Sequence, residues 1–274
     1  MGIANILAIA GSDPSGGAGI QADLKAISAQ GAYAMAALTA LTAQNTRGVS
    51  AVHTPPPAFV AAQIEAVFDD IRVDAVKIGM IATAPIAAAV ADALAARVRA
   101  GWSGAVVLDP VMVAKGGARL LDEDAVATVT ERLVPLAGVV TPNLPELAAL
   151  TGAAEAATRE AMAEQAARLA DLGAVAVLAK GGHLEGAESP DLLYGPDGAD
   201  WLDGARVKTT ATHGTGCTLS SALAARLGQG RPLAEAAREA KAYVAGAITA
   251  AHRLSVGSGH GPTHHFHALW GDTP

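Results

Sequence analysis

Short apolar runs alternating with longer amphipathic segments are the feature of this chain that most restricts its fold. Strands that are apolar at nearly every position are typical of a sheet covered on both faces. The runs are "NILAIAG" (5–11), "AMAALTA" (34–40), "DAVKIGM" (74–80), "AVVLDPV" (105–111), "GVVTP" (138–142) and "AVAVLAKGG" (174–182).

The segments between these runs have helical periodicity, with apolar residues three and four positions apart. Examples are "AGIQADLKAISAQG" (18–31), "PAFVAAQIEAVFDDI" (57–71) and "PIAAAVADALAARVRA" (85–100). Alternating strands and helices form right-handed βαβ units and a mainly parallel sheet. We therefore predict an α/β fold, a three-layer α/β/α sandwich with a mainly parallel central sheet.

The last third of the chain departs from this rhythm. Residues 189–207, "SPDLLYGPDGADWLDGARV", contain Gly-Pro and Asp-Gly turns, which favour a short hairpin or edge strands. Two helices are predicted to follow, at about 215–228 and 232–253. Because no linker, repeat or low-complexity tract interrupts the chain, we expect one domain over residues 1–274.

Composition and charge exclude several classes of protein. No stretch approaches the roughly 20 apolar residues of a membrane span, and the apolar start "ANILAIAG" lacks the basic flank of a secretory signal. The net charge of −7, without any basic run, argues against nucleic-acid binding. A single cysteine forms no internal disulfide, which fits a reducing compartment, so a cytoplasmic location is expected.

Polar and glycine-rich residues follow several of the predicted strands. In open α/β sheets, ligands bind beyond the carboxyl ends of the strands, so these segments are predicted to converge on one binding site. They are "GSDPSGG" (11–17), "TAQNT" (42–46), "DPVMVAKGG" (109–117), "TPNLPE" (141–146) and "KGGH" (180–183).

The first of these segments lets the backbone approach a ligand closely, because Gly16, Gly17 and Gly19 have no side chains. It matches neither the dinucleotide-binding fingerprint nor the Walker A loop. Asp23 would lie about one and a half turns into the following helix. From the residues alone, a solvated carboxylate on the helix face is the simpler interpretation of Asp23.

Asp109, Asn143 and Glu146 come just after predicted strands, where carboxylates and amides can hold Mg²⁺ through water. A capping box made by Asn143 and Glu146 is the structural alternative, and it is compatible with function. Lys180 ends an apolar strand and suits a phosphate as a point charge. An ordinary lysine that extends its amine to solvent is the alternative there.

The strongest local signal is "HGTGCTLSSA" (213–222), which contains the sole cysteine, Cys217. Gly214 and Gly216 permit a tight turn, and a helix is predicted from Thr215. The amides at such a helix start point at one spot, where the helix dipole favours negative charge. This turn is a candidate anion hole for a phosphoryl group in transfer; a glycine-rich turn without function, and an inert buried cysteine, are the alternatives.

The C-terminal segment "HGPTHHFHALW" (260–270) invites a metal-site interpretation. Its histidines, His264, His265 and His267, are too closely spaced for a typical zinc site, and no carboxylate accompanies them. A packed or exposed tail is therefore expected.

Eight motifs occur in order over nearly the whole chain: "AIAGSDPSGGAGIQADLK", "TAQNT", "KIGM", "DPVM", "TPNLPE", "KGGHLE", "HGTGCTLSSA" and "GPTHHFHALW". Together they resemble the hydroxymethylpyrimidine/phosphomethylpyrimidine kinases of thiamine biosynthesis, in the ribokinase-like superfamily. The resemblance implies that ATP, with Mg²⁺, phosphorylates 4-amino-5-hydroxymethyl-2-methylpyrimidine to its monophosphate and then its diphosphate. It also implies a homodimer and no nucleic-acid or membrane partner.

The resemblance also implies roles for individual residues. Gln44 would hydrogen-bond the aminopyrimidine ring, Asp23 would lie near the substrate hydroxyl, and Gly11 and Met80 would line the pocket.

For the nucleotide and the metal, Asp109, Asn143 and Glu146 would serve Mg²⁺ and the phosphates, and Lys180 would contact a phosphate. The turn formed by Gly214, Thr215 and Gly216 would supply the anion hole.

Cys217 stands where most ribokinase-like kinases have an aspartate base, and the pyrimidine-kinase branch is similar to this chain in having cysteine there. We hypothesise that Cys217 is the base. That role requires helix-end amides and neighbouring glycines to lower the pKa of the thiol from about 8.5. The demand is modest, because phosphoryl transfer removes little of the proton early.

Two other functions remain open from the sequence. A pyridoxine or pyridoxal kinase shares the fold and also phosphorylates a ring-borne hydroxymethyl group, and one enzyme can accept both alcohols. A ligand-binding regulator without catalysis is the other alternative. The intact Asp109, Lys180 and "GTGC" argue against the regulator.

Overall fold

The computed structural model describes residues 2–113, 117, 121 and 123–271. The central sheet has the strand order β10-β9-β8-β7-β6-β5-β1-β2, and a separate two-stranded sheet contains β3 and β4. The strands are β1 (Asn5–Ala10), β2 (Tyr33–Leu38), β3 (Leu41–Asn45), β4 (Gly48–His53), β5 (Ala75–Ile78), β6 (Ala105–Leu108), β7 (Val139–Val140), β8 (Val177–Lys180), β9 (Asp191–Gly195) and β10 (Gly198–Leu202).

In the central sheet, neighbouring strands pair in parallel in the order β2, β1, β5, β6, β7 and β8. Strands β9 and β10 add antiparallel pairs at one edge. The α-helices that cover the sheet are α1 (Gly19–Ala29), α2 (Pro57–Asp70), α3 (Ala84–Arg99), α4 (Glu123–Thr128), α5 (Leu144–Thr151), α6 (Arg159–Asp171), α7 (Thr215–Gly228) and α8 (Leu233–Thr249). No helix in the described part of the chain is long and apolar enough to cross a lipid bilayer.

Strand β1 shows why the sheet lies between two helical layers. Successive side chains of a strand point to opposite faces, and every second residue of β1 enters a different core. Leu7 and Ile9 belong to a core cluster that includes residues of α2, α3 and α6, whereas Ile6 and Ala8 belong to a second cluster that includes residues of α1, α7 and α8. The predicted three-layer sandwich with a mainly parallel sheet is confirmed.

The segment 41–53 contains a hairpin that the sequence analysis did not predict. "TAQNT" was identified only as polar residues that follow a strand, and Leu41–Asn45 forms β3 and pairs with β4 in an antiparallel hairpin. The residues of this hairpin are exposed or only half-buried, so no apolar run marks them in the sequence. The hairpin was missed because it lies outside the sheet that the apolar runs specify.

Candidate active site

Lys180 and Asp109 form the centre of the candidate site at the carboxyl ends of β8 and β6. Lys180 Nζ donates a hydrogen bond to Asp109 Oδ1 at 2.8 Å and lies 3.7 Å from Glu146 Oε2. The backbone amide of Lys180 donates to the carbonyl of Pro142 at 2.8 Å, which fixes the end of β8 beside the segment after β7. Parallel strands thus bring these three side chains together, as the sequence pattern predicted.

The Asp109 carboxylate is buried and receives hydrogen bonds on both oxygens. Thr141 Oγ1 donates to Oδ1 and Ser220 Oγ donates to Oδ2, each at 3.2 Å. Burial alone would raise the pKa of Asp109, but the lysines Lys180 and Lys77 and these hydrogen bonds outweigh burial and lower it. Asp109 is therefore ionised at neutral pH.

Lys180 is charged for the corresponding reason. Burial alone would lower the pKa of Lys180, but the carboxylates of Asp109 and Glu146 outweigh burial and raise it above its usual value. Its side chain is 15% exposed, so it does not extend its amine freely into solvent. The ion pair therefore holds a charged ammonium group in a fixed position at the carboxyl edge of the sheet.

Asn143 and Glu146 form the capping box at the start of α5. Asn143 Oδ1 accepts from the Glu146 amide at 2.9 Å, and Glu146 Oε2 accepts from the Asn143 amide at 2.8 Å. The box holds the Glu146 carboxylate close to Lys180, so capping and placement at the site coexist. Burial, together with the charge of Asp109, raises the pKa of Glu146 to about 6, although Lys180 opposes the shift.

The raised pKa of Glu146 predicts a pH-dependent stability effect of Glu146→Gln. As pH rises from 4.5 to about 6, the unfolded chain ionises this carboxyl more readily than the folded chain, so wild-type stability falls. A glutamine keeps the capping geometry but has no charge to bury. We expect the free energy of unfolding of the variant, relative to wild type, to be about 2 kcal/mol greater at pH 8 than at pH 4.5. The folded and unfolded pKa values differ by about 1.5 units, and each unit corresponds to about 1.36 kcal/mol. Chemical denaturation at both pH values measures this difference, and an equal difference at both would contradict it.

The anion turn, which we define as Gly214, Thr215 and Gly216, begins α7. Gly214 has φ = 77°, and a Cβ at this position would lie 1.9 Å from the carbonyl oxygen of Gly17. Both the left-handed conformation and the close approach of the two backbones require glycine there. The predicted tight turn and the predicted start of the helix at Thr215 are confirmed.

The anion turn lies directly against the Lys180–Asp109 pair. A Cβ on Gly216 would be 3.3 Å from Lys180 Nζ and 3.5 Å from Asp109 Oδ2. The amides in the first turn of a helix point toward its N-terminus. Those of α7 therefore face the same space as the Lys180 ammonium, an arrangement suited to an anion.

Cys217 sits in the first turn of α7 and is half-buried. Burial raises the pKa of its thiol to about 12, and the charges of Asp23 and Asp109 add to that effect while Lys77 opposes it. The expectation that helix-end amides lower the pKa of this thiol is wrong, because desolvation and the nearby carboxylates outweigh the helix start. At neutral pH, Cys217 is a thiol.

Asp23 is completely buried on α1. Lys77 Nζ donates to both of its carboxylate oxygens, at 2.8 and 2.9 Å, and Ser221 Oγ donates to Oδ1 at 2.8 Å. The interpretation of Asp23 as a solvated helix-face carboxylate is wrong. Ser221 lies four residues after Cys217, so the same face of α7 carries both residues.

Lys77 was not identified from the sequence, although a charged residue within the apolar strand β5 was the available signal. It is fully buried, and a Cβ on Gly79 would lie 2.5 Å from its Nζ. Burial alone would lower the pKa of Lys77, but the Asp23 carboxylate and the other acidic groups near it, Cys217 and Asp109, together outweigh burial and raise it. A second buried ion pair thus lies beneath the cysteine.

Gly11 and Met80 lie together beside a small apolar cluster. The Gly11 amide donates to the Met80 carbonyl at 3.2 Å, and a Cβ on Gly11 would lie 2.8 Å from Met80 Sδ. Met80 packs with Ala40 and Ala82, and Ala82 has the left-handed φ of 71°. Left-handed backbone at a non-glycine residue is strained and concentrates at functional sites.

Gln44 lies on β3 rather than in a loop. Thr42 Oγ1 lies 3.2 Å from Gln44 Oε1 and donates to the carbonyl of Ser12 at 2.8 Å. Thr42 thereby ties the hairpin to the segment after β1. This segment continues to Gly17, whose carbonyl contacts the anion turn, so it joins the Gln44 side of the site to the Lys180 side.

Asp13 and His213 form a further contact that was not identified from the sequence. His213 Nε2 lies 2.7 Å from Asp13 Oδ2. Burial alone would raise the pKa of Asp13, but hydrogen bonds with His213, Ser15 and the Ala18 amide outweigh burial and lower it. The pair fastens the loop after β1 to the residue before the anion turn.

The histidine-rich tail is packed, as expected. His264 and His265 are buried, and burial lowers the pKa of His265 to about 3. The described residues contain no cluster of three or more His, Cys, Asp or Glu side chains arranged to hold a metal ion. Of the segment "DPVMVAKGG" (109–117), residues 114–116 lie outside the described residues.

Comparison with known proteins gives a consistent assignment. Residues 13–264 match the model of the phosphomethylpyrimidine kinase family. A hydroxymethylpyrimidine/phosphomethylpyrimidine kinase of Rhizobium meliloti is 53% identical over 97% of this chain and 98% of its own length. The thiamine biosynthesis bifunctional protein ThiED of Geobacter sulfurreducens is also 53% identical, over 95% of this chain and 52% of its own length.

Among solved structures, an ADP complex of Bacillus subtilis pyridoxal kinase has a TM-score of 0.88 at 37% identity, covering 96% of this chain and 98% of that one. The structural likeness shows that the fold is shared with a pyridoxal kinase. The sequence match is stronger and covers the lysine, the acidic residues and the glycine turn described above. On this basis, the chain belongs to the phosphomethylpyrimidine kinase family.

Proposed function

We propose that this chain transfers the γ-phosphate of ATP to the hydroxymethyl group of 4-amino-5-hydroxymethyl-2-methylpyrimidine and then phosphorylates the monophosphate to the diphosphate, in thiamine biosynthesis. The observation that carries the proposal is the placement of the Lys180–Asp109 pair against the anion turn. The kinase names of the relatives support the pyrimidine substrate. The ADP complex of a structural neighbour supports a nucleotide as the phosphate donor.

The chemistry of phosphoryl transfer matches what these residues offer. Negative charge spreads over the equatorial oxygens of the transferring group, so catalysis depends on positioning and charge stabilisation. The amides of Gly214, Thr215 and Gly216 would receive those oxygens, that of Thr215 by giving up its 3.4 Å hydrogen bond to the Thr212 carbonyl, and Lys180 would supply a positive charge beside them. Because both are set before the substrate arrives, little reorganisation is needed during the reaction.

The acidic residues fit a magnesium ion. Asp109 and Glu146 place two buried carboxylates beside one lysine, so full ionisation leaves a negative charge without a partner at this point. We propose that these two carboxylates, with the segment around Asn143, hold Mg²⁺ mainly through water, as this ion prefers. When bound, Mg²⁺ would neutralise charge on the ATP phosphates.

The substrate ring is assigned to the space between Gln44 and the Gly11–Met80 contact. A side-chain amide offers both a donor and an acceptor, which complements an aminopyrimidine edge. Asp23 is covered by Lys77 and Ser221, so we propose that its influence on the substrate hydroxyl is indirect, through the ion pair beneath Cys217.

The assignment of Gln44 predicts the effect of Gln44→Ala. Loss of the ring hydrogen bonds should raise KM for the pyrimidine alcohol about tenfold, with kcat changed far less, since the lost interaction is made in both the ground and transition states. Steady-state kinetics measures both constants. Asn45→Ala is the matched control, because neighbouring residues of a strand face opposite sides. An unchanged KM in Gln44→Ala would remove this residue from the substrate site.

One coupled assay of ADP release tests the function itself. The substrates are the pyrimidine alcohol, its monophosphate and pyridoxal, each with Mg-ATP. We expect turnover of the first two. A larger kcat/KM for pyridoxal would favour the second candidate, a vitamin B6 kinase, which the pyridoxal kinase neighbour supports. No ADP release with any of the three would indicate a ligand-binding regulator.

We further propose that the chain is a single cytoplasmic domain over residues 1–274 that forms a homodimer and has no nucleic-acid or membrane partner. The exposed hairpin and its neighbour supply apolar surface for such a contact, since Leu41, Val52 and Phe59 are 44%, 46% and 61% exposed. Light scattering after gel filtration distinguishes a dimer from a monomer. A single cooperative unfolding transition would fit one domain.

A further inference from the structure

The C-terminal histidine segment contacts both backbone loops of the candidate site. The His213 amide donates to the Gly261 carbonyl at 3.1 Å, just before the anion turn. On the other loop, a Cβ at Gly17 would lie 3.1 Å from Pro262 Cβ. The tail is itself fixed to α8, because the His264 amide donates to the Ala247 carbonyl at 2.9 Å and Tyr243 Oη donates to the His265 carbonyl at 2.7 Å.

Two successive side-chain contacts, through Thr218, connect His265 to the anion turn. His265 Nε2 lies 3.1 Å from Thr218 Oγ1, and Thr218 Oγ1 donates to the Gly214 carbonyl at 2.7 Å. The Gly214 carbonyl also accepts from the Thr218 amide at 2.8 Å. Thr218 and His265 are both buried, so solvent does not substitute readily for these bonds.

The proton count fixes the direction of this relay. A threonine hydroxyl has one proton, and Thr218 gives it to Gly214. With the Thr218 proton on Gly214, and Thr263 Oγ1 at 3.4 Å from the same hydroxyl, we infer that His265 donates from Nε2–H. A neutral imidazole with its proton on Nε2 does so, and burial keeps the ring neutral at physiological pH.

We propose that His265 is a positioning residue for phosphoryl transfer: it orients the Thr218 hydroxyl, which in turn holds the Gly214 carbonyl and the left-handed start of the anion turn. This inference rests on the proposed function of that turn. Without the imidazole donor, only the Gly214 carbonyl at 2.7 Å and Thr263 Oγ1 at 3.4 Å hold the Thr218 hydroxyl, so its orientation is less firmly fixed. The amides that receive the phosphoryl oxygens then lose their alignment, although no residue that touches substrate has changed.

Three variants and a double mutant test the relay. His265→Phe should lower kcat about tenfold with KM for the pyrimidine alcohol within twofold, the loss expected for one misplaced hydrogen bond. His265→Gln should recover most of kcat, because its amide places an N–H near the position of Nε2. His267→Phe is the matched control, since that ring contacts Tyr243 and Gly246 rather than α7, and its kcat should stay within twofold of wild type.

The double mutant isolates the path through Thr218. His265→Phe should cost little in a Thr218→Val background, because the hydroxyl through which it acts is gone. Fully additive losses, or a glutamine variant no better than phenylalanine, would overturn the proposal. ¹⁵N NMR of the wild-type holoenzyme gives a result independent of any variant's folding: an Nε2–H neutral His265 from pH 5 to 9 supports the relay, and an Nδ1–H tautomer overturns it.

The wild-type assay separates this inference from the proposed function. Turnover of the pyrimidine alcohol by wild type tests the function alone, whereas the ratios among the variants test the relay. Should wild type turn over only pyridoxal, the same ratios measured with pyridoxal decide the relay.

Discussion

Lys180→Met is expected to lower kcat about 10³-fold, within the upper range for removal of one preorganised charge-stabilising group. Lys180 Nζ lies beside the anion turn and is held there by Asp109 at 2.8 Å. Methionine has a similar length but no charge, so the transferring phosphoryl group loses its fixed cation. KM for the pyrimidine alcohol should change much less, because the alcohol is assigned to the Gln44 side of the site. Steady-state kinetics with saturating ATP measures this separation.

Lys241→Met is the matched control for Lys180→Met. Lys241 also makes a largely buried ion pair, with Asp191 at 2.7 Å, and its side chain is 18% exposed against 15% for Lys180. Breaking either pair leaves a buried carboxylate without its partner and should destabilise the fold by a few kcal/mol. Only Lys180→Met should lose kcat by orders of magnitude. Equal losses in both variants would show that stability, rather than phosphate stabilisation, explains the effect.

If the minor thiolate form of Cys217 acts as the base, Cys217→Ala is expected to lower kcat by a factor of about 10² or more, the range of general-base contributions. Cys217 lies at the anion turn with its pKa raised to about 12, so only a small fraction is thiolate at neutral pH. As long as the pH is below the pKa, the thiolate fraction increases tenfold for each unit by which the pH rises. The wild-type kcat should therefore rise with pH from 7 to 9.5, and the rise should be absent in Cys217→Ala.

The value of kcat in Cys217→Ala and the pH dependence of kcat together distinguish catalysis by the Cys217 base from catalysis by the anion turn. If Cys217→Ala retains near-wild-type kcat and the same pH profile, the thiol is not the base, and positioning by the turn and Lys180 accounts for catalysis. Phosphoryl transfer tolerates that outcome because it needs little early proton removal. A Gly19 backbone hydrogen bond and the Lys77 charge both favour the thiolate in the folded protein, while burial disfavours it.

Much of the fold was predictable because the burial of each strand and helix leaves a pattern within its own short stretch of sequence. The inner strands of the central sheet, such as β1, β5 and β6, are buried on both faces, so each leaves an unbroken apolar run, and the helices between the strands show their buried stripe at regular spacing. The hairpin β3–β4 was missed for the opposite reason: its residues are largely exposed and its stability comes from pairing rather than from burial. Consequently, Gln44 was not predicted to lie on a strand.

The sequence by itself determined the α/β sandwich, the glycine turn before α7 and the set of polar residues at the sheet edge, because strand burial, left-handed backbone and parallel topology each require particular residues at particular spacings. Only the tertiary structure decided the charge states. Asp23 and Lys77 are 54 positions apart and Cys217 is far from both in sequence, yet the fold brings the first two within 2.8 Å as an ion pair, and burial keeps the third protonated. Electrostatic energy depends on distance and desolvation in space, and neither can be read from spacing along the chain.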